Sequence, residues 1–136
     1  MIFDVEALLL ARLAAKCAPG SILLGTFDPI DLTDDSTSPV VAQIQIAGTE
    51  PTAATGKNLR LGVVHSVQVF LDTARADAGE KQAAADLFED ALEALVDYEY
   101  QPGRHVEIVG GKTTEFDGRI LRLAFGITFP AHVVGT

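Results

Sequence analysis

Residues 59–71 read LRLGVVHSVQVFL, and this stretch decides the fold. Leu59, Leu61, Val63, Val67, Val69 and Leu71 share one parity, while Arg60, Ser66 and Gln68 share the other. A period of two with branched residues on one side marks a strand with one face buried. His65 sits on the apolar parity. Residues 119–129, RILRLAFGITF, repeat the pattern, with Leu121, Leu123, Phe125, Ile127 and Phe129 alternating with Arg122, Ala124, Gly126 and Thr128. Val40 to Ile46, VVAQIQI, places Ala42, Ile44 and Ile46 on one face and Gln43 and Gln45 on the other. Ser21–Leu24 and His105–Val109 are shorter candidate strands.

Two stretches carry the helical period instead. From Phe3 to Cys17, Val5, Leu8, Leu9 and Leu13 form a stripe, with Glu6, Arg12 and Lys16 spread over the rest. Asp4 suits the positive end of the helix dipole, and Pro19-Gly20 stops the helix. The second helix runs from Ala78 to Tyr98, with Ala84, Leu87, Phe88, Ala91, Leu92, Leu95 and Val96 as its stripe. Asp77 with Glu80 resembles a capping box. Glu89, Asp90, Glu93 and Asp97 load the opposite side, and Pro102-Gly103 ends the region. Two loops read as flexible: the polar Asp28–Pro39, DPIDLTDDSTSP, and Gly48–Asn58, GTEPTAATGKN. Gly110-Gly111 is the turn candidate between the last two strands, in a loop that reaches as far as Gly118.

The order α-β-β-β-α-β-β predicts an α+β, two-layer sandwich. Its sheet of about four or five strands is mainly antiparallel or mixed, with two helices on one face. The other face would carry Gln43, Gln45, Arg60, Gln68, Arg122 and Thr128, which suits solvent or another subunit. The 136 residues fit one domain, 1–136, and a hydrophobic fraction of 48% supplies its core. Ten lysines and arginines against 19 carboxylates leave a net charge of −9. That balance argues against sequence-specific nucleic-acid binding, because phosphate affinity comes from Lys and Arg. A single cysteine, Cys17, excludes an intramolecular disulfide and a cysteine-built zinc cluster. No apolar run approaches the roughly 20 residues of a membrane span. Met1-Ile2-Phe3-Asp4 lacks the positive start of a signal peptide, so the chain reads as soluble and intracellular.

No residue set carries a reaction, a cofactor or a metal. His65, His105 and His132 fall in three separate elements with no helical pairing. His65 reads as a core or interface histidine donating one hydrogen bond. Cys17 reads as a small buried hydrophobe near a helix end, not a reactive thiol. Asp28, Asp31, Asp34 and Asp35 lack EF-hand spacing and read as a solvated acidic loop that orders on a partner, not a calcium site. Gly110-Gly111-Lys112-Thr113 holds the tail of a P-loop without its first glycine, since Val106 stands there. It reads as a hairpin turn. Gly103-Arg104-His105 is locally basic without the interleaved aromatics of a nucleic-acid platform. Tyr98 and Tyr100 read as caps on the core edge with their hydroxyls in water. The acidic side of the second helix reads as a solvated face, or more sharply as a surface that repels nucleic acid.

The run of elements resembles a known family. MIFDVEALLLARLAA opens the chain, VVAQIQIAG follows the polar loop, and LRLGVVHSVQVFLD leads into EKQAAADLFEDALEALVDY. GRILRLAFGITF closes the domain. This is similar to small tail terminator or tail completion proteins of tailed bacteriophages, including lambda-type minor tail proteins and a Mu-like prophage family. The resemblance implies a structural virion protein with an α+β fold and no catalytic residues. It implies a self-assembling, often hexameric, ring at the head-proximal end of the tail tube. There it would halt tube growth and form the surface that joins the head. Its partners would be its own copies, the tube protein and a head-completion or connector protein. It would be found in the virion tail, after assembly in the bacterial cytoplasm. Ring closure through a sheet edge or the polar sheet face is the expected mechanism. Two other classes stay open: a different head–tail joint protein, and a small-molecule-binding regulatory module with a concave pocket. An enzyme built on a histidine or the acidic loop is the remaining alternative.

Overall fold

The alternating stretches form strands, and the stripes form helices that cover them. The computed structural model describes residues 2–32, 37–55 and 58–134. In chain order the elements are α1 (Ile2–Lys16), β1 (Leu23–Leu24), β2 (Val40–Thr55), β3 (Asn58–Asp72) and α2 (Ala78–Leu95). Then come β4 (Glu99–Gln101), β5 (Arg104–His105), β6 (Glu107–Phe116) and β7 (Ile120–Val134). Five strands make a mixed sheet in the order β1-β2-β3-β7-β6, and β4-β5 is a separate hairpin. Among the described residues, β1 runs parallel to β2 and every other pairing is antiparallel.

Both helices pack on the face that the alternation marked as apolar. Leu9 and Leu13 of α1, and Ala84, Leu87, Phe88, Ala91 and Leu95 of α2, meet Ile44, Val67, Val69, Phe125, Ile127 and Phe129 of the sheet. Each such Leu or Phe contributes about 1.5–3 kcal/mol by leaving water. Phe88 meets Phe125 edge-on at 5.6 Å. The capping box at the start of α2 is complete: Asp77 Oδ1 accepts from the Glu80 amide at 2.7 Å, and Glu80 Oε1 accepts from the Asp77 amide at 3.1 Å.

Four expectations change. Gly48–Asn58 is not a loop: β2 continues to Thr55 and pairs with β3 down to Asn58. Register shifts at Ile46/Gly48 and Pro51/Ala53 let the ladder absorb the glycine and the proline. Gly110-Gly111 is not the turn. It lies inside β6 at a bulge between Val109 and Thr113, with Gly110 at φ 68°. The turn is Asp117-Gly118-Arg119, where Asp117 Oδ1 accepts from the Arg119 and Ile120 amides at 3.0 and 2.7 Å. The second helix stops at Leu95, since Val96 is extended and Asp97 sits at φ 54°. The freed residues build the β4-β5 hairpin around Gly103 at φ 72°. On α1, Leu8 is exposed and Glu6 is buried, the reverse of the sequence reading.

Candidate assembly interface

A strand of 15 residues spans about 50 Å, whereas the 18 residues of α2 span about 27 Å. The described core residues on these strands are Ala42 and Ile44 of β2, Val67, Val69 and Leu71 of β3, and Phe125, Ile127 and Phe129 of β7; the side chains of 48–63 and 130–134 fall outside what the structure describes. The three strands run on together to Thr55, Asn58 and Val134 as a ribbon.

The sheet also ends in two open edges. Among the described residues, β6 pairs with β7 and no strand takes its outer side. Beyond its bulge, Thr113 to Phe116 keep regular register with Ala124 to Leu121, and Phe116 is 59% exposed. On the opposite side, β1 pairs with β2 only at Ala42 and Gln43. The Thr26 hydroxyl then takes the Ile46 amide at 3.1 Å, and no described strand pairs with the outer side of β2 from there on. Unpaired strand edges present free backbone donors and acceptors and recruit further strands.

The face away from the helices carries a continuous polar network. Gln43 Nε2 donates to the Gly25 carbonyl at 3.1 Å. Gln68 Nε2 donates to Gln43 Oε1 at 3.3 Å and to Gln45 Oε1 at 3.1 Å. Arg122 donates through Nε to Gln68 Oε1 and through Nη2 to Ser66 Oγ at 3.3 Å, while its Nη1 lies 3.5 Å from Glu115 Oε2. The sequence placed Gln43, Gln45, Gln68 and Arg122 on this face, and the structure links them across three strands. Gln43 and Gln68 are buried even so. The side chain of Arg60 falls outside what the structure describes.

The acidic loop is pinned at its base. Arg75 Nη1 donates to the Thr37 carbonyl at 2.8 Å, and Nη2 donates to the Leu32 carbonyl. These carbonyls flank residues 33–36. Arg75 Nε reaches Asp72 Oδ2 at 2.9 Å, and Arg119 grips both Asp72 oxygens. The Arg119 fork, above all, holds the buried Asp72 carboxyl well below the usual carboxylate range. Asp34 and Asp35 lie outside the described residues, so that part of the acidic cluster has no structural account. Among the described residues no group of three or more His, Cys, Asp and Glu is placed to hold a metal ion.

The histidines stay apart. His65 is fully buried and stacks on Phe129 at 5.0 Å. It does not donate the single hydrogen bond expected: neither ring nitrogen has a partner, although Nε2 stands 3.5 Å from Glu6 Oε2. His105 lies in β5 between Asp97 and Glu99, at 3.3 and 3.5 Å. His132 is in β7, with its side chain outside what the structure describes. Cys17 is buried, and burial followed by the nearby Asp90 charge pushes its thiol up. Tyr100 is a second correction: its hydroxyl is buried without a partner, and its ring meets Phe129 edge-on at 5.6 Å. Tyr98 packs under the Arg12 guanidinium at 4.8 Å. A groove of ≈ 290 Å³ lies between α2 and the α1–β1 connection, with Ile22, Val40 and Leu87 along it. Two of its carboxylates are engaged within α2: Glu80 on the Asp77 amide, and Asp86 on Gln82 at 3.0 Å. Among the described residues, no helix is long and apolar enough to cross a membrane.

No protein-family model matches the chain, and no curated protein sequence does. Solved structures do. The fold superposes on the PVC sheath/tube terminator of an extracellular contractile injection system, seen by cryo-EM in its extended state. The TM-score is 0.60 at 17% identity, over 98% of this chain. The chain shares the fold of a sheath/tube terminator. It spans 57% of that terminator's length. The fold is also matched by a chain in the virion of a native gene transfer agent particle. There the TM-score is 0.50 at 19% identity, over 95% of this chain and 92% of the other. The expected resemblance to tail terminators holds in the fold, including the mixed sheet and the paired helices on one face.

Proposed function

We propose that this chain is a structural subunit of a phage-like tail, one that caps the head-proximal end of the tail tube and stops its growth. The observation that carries the reading is the likeness to a sheath/tube terminator over 98% of the chain. In this reading residues 1–136 work as one terminator-like domain. Copies close into a ring, a hexamer by the family resemblance. The ring meets the tube protein on one side and a head-completion or connector protein on the other. The subunit serves in the tail of the assembled particle, after assembly in the bacterial cytoplasm, and has no catalytic task.

The geometry supplies what such a subunit needs. The β6 edge and the outer side of β2 lie on opposite sides of one sheet, so pairing one with the other is a heterologous contact. Heterologous contacts generate rings when the rotation closes. The helix layer, with Asp86, Glu89 and Glu93 exposed on α2, presents negative charge rather than a phosphate-binding surface.

The test is tube growth. Tube protein from the same particle is polymerised with and without this chain, and tube lengths are measured by electron microscopy. The reading expects short tubes of narrow length distribution when the chain is present from the start. Unchanged tube lengths over a wide excess of chain would overturn it. A different joint protein would bind particles without shortening the tubes.

A further inference from the structure

Glu6 is a carboxylate on the buried side of a helix, and its two oxygens carry unequal loads. Oε1 accepts the Thr26 amide at 2.7 Å, and Oε2 accepts the Thr26 hydroxyl at 2.7 Å. That hydroxyl in turn accepts the Ile46 amide at 3.1 Å, on the outer side of β2 beside the bulge at Ile46/Gly48. Glu6 therefore pins Thr26 against the β2 edge, while Gln43 Nε2 holds the Gly25 carbonyl of the same turn at 3.1 Å. The second neighbour of Oε2 is the His65 ring, with Nε2 at 3.5 Å and no hydrogen bond at either nitrogen.

We propose that Glu6 is a proton-controlled latch: neutral His65 leaves it on Thr26, and protonated His65 draws it away and frees Thr26 from the β2 edge. Oε2 stands 3.5 Å from Nε2, and a charge-assisted bond of about 2.8 Å requires the carboxylate to move toward the ring and so away from Thr26. A protonated ring donates at Nε2, and the acceptor it faces is the Oε2 that now holds the Thr26 hydroxyl. A charged ring with no water around it needs that carboxylate far more than a neutral hydroxyl does. The surroundings leave it little else. Ile46 and Ile127 pair with His65 across the ladder and carry no charge, and Phe129 covers one ring face. β4 brings the Tyr100 ring edge-on to Phe129. Asp28 belongs to the turn itself, where its Oδ2 accepts the Gly25 amide at 2.7 Å. Asp4, the nearest other acid of α1, is exposed. Burial holds the His65 ring below its ordinary value, more than the Glu6 charge raises it, so the latch opens on the acid side of neutrality.

Gly25 offers a second way to open it. A Cβ at Gly25 would stand 2.6 Å from Glu6 Oε1, and its other neighbours are in ordinary contact. Gly25→Ala therefore displaces the carboxylate without any titration.

The experiment is amide hydrogen exchange on the intact chain, corrected for intrinsic rates, with His65 followed by NMR in parallel. As pH falls from about 7.5 through the His65 midpoint, the Thr26 and Ile46 amides should lose roughly tenfold or more of their protection in step with the ring. His65→Gln should abolish that dependence. Gly25→Ala should show the open, weakly protected turn at the higher pH. His65 titrating while both amides keep their protection would overturn the latch. So would the same pH dependence in His65→Gln, or a protected turn in Gly25→Ala. Should His65→Gln not fold, the wild-type titration and Gly25→Ala decide the matter alone. None of these outcomes bears on tube capping, which the length measurement tests separately.

Discussion

Arg119 Nε and Nη2 each stand 2.8 Å from a different oxygen of Asp72, across 47 residues of sequence. The pair joins the end of β3 to the start of β7, and Arg75 extends it to the base of the acidic loop. Thr73 closes the same corner, with its amide and its hydroxyl donating to the Arg119 carbonyl at 2.9 and 2.6 Å. A buried carboxylate is tolerable only because each oxygen has its donors.

Asp72→Asn should therefore cost more stability at neutral pH than Arg75→Ala, because it unpairs two guanidinium groups at once. The acid limb gives a second readout. A carboxylate whose folded value is depressed contributes stability above its unfolded value and loses it as pH falls further. Wild-type stability should drop steeply below about pH 4, and Asp72→Asn should flatten that limb. Urea melts at neutral and acid pH measure both, and an unchanged acid slope in the variant would contradict the assignment.

Phe129 is fully buried and touches both His65 and Tyr100 with its ring. Phe129→Ala should cost about 3–5 kcal/mol, as for other large-to-small changes in a packed core. Guanidinium melts read the loss directly. A cost below about 1 kcal/mol would mean that the site collapses around the smaller side chain and that Phe129 is not part of a tightly packed core.

The capping box makes a smaller prediction. Asp77→Ala removes the acceptor for the Glu80 amide and should cost about 1 kcal/mol. Glu80→Gln keeps a side-chain acceptor for the Asp77 amide and should cost less. Equal losses in paired denaturation curves would deny the reciprocal bond.

How much of this was readable beforehand depends on how local the cause is. Period-two alternation placed Val67, Val69, Phe125 and Ile127 in the core, because side-chain direction follows the backbone alone. The cap at Asp77 is equally local. Gly48 and Pro51 misled, since both punctuate chains on their own and only a paired neighbour turns them into bulges. Gly110-Gly111 misled for the same reason. Glu6 looked like a surface residue because no local rule announces an acceptor for the Thr26 amide 20 residues away. The open edges depend on the full strand order, which the sequence left undetermined between antiparallel and mixed.

The β6 edge can be perturbed where it meets β7. A Cβ at Gly126 would approach the Val109 carbonyl oxygen to 2.9 Å, and that backbone atom cannot swing aside. Gly126→Ala should loosen β6 while leaving the helix-covered core intact. Hydrogen exchange should show faster β6 amides with unchanged protection at Val67 and Val69. Loss of copy-to-copy assembly in the same variant is the expected consequence if β6 is a ring contact.

The most direct measurement is electron microscopy of tubes assembled with this chain carrying a terminal label. The account predicts label at one end only, in a closed ring of copies with the mixed sheet and its two helices visible in each subunit. Label scattered along the tube wall, or absent from tubes that end normally, would contradict it.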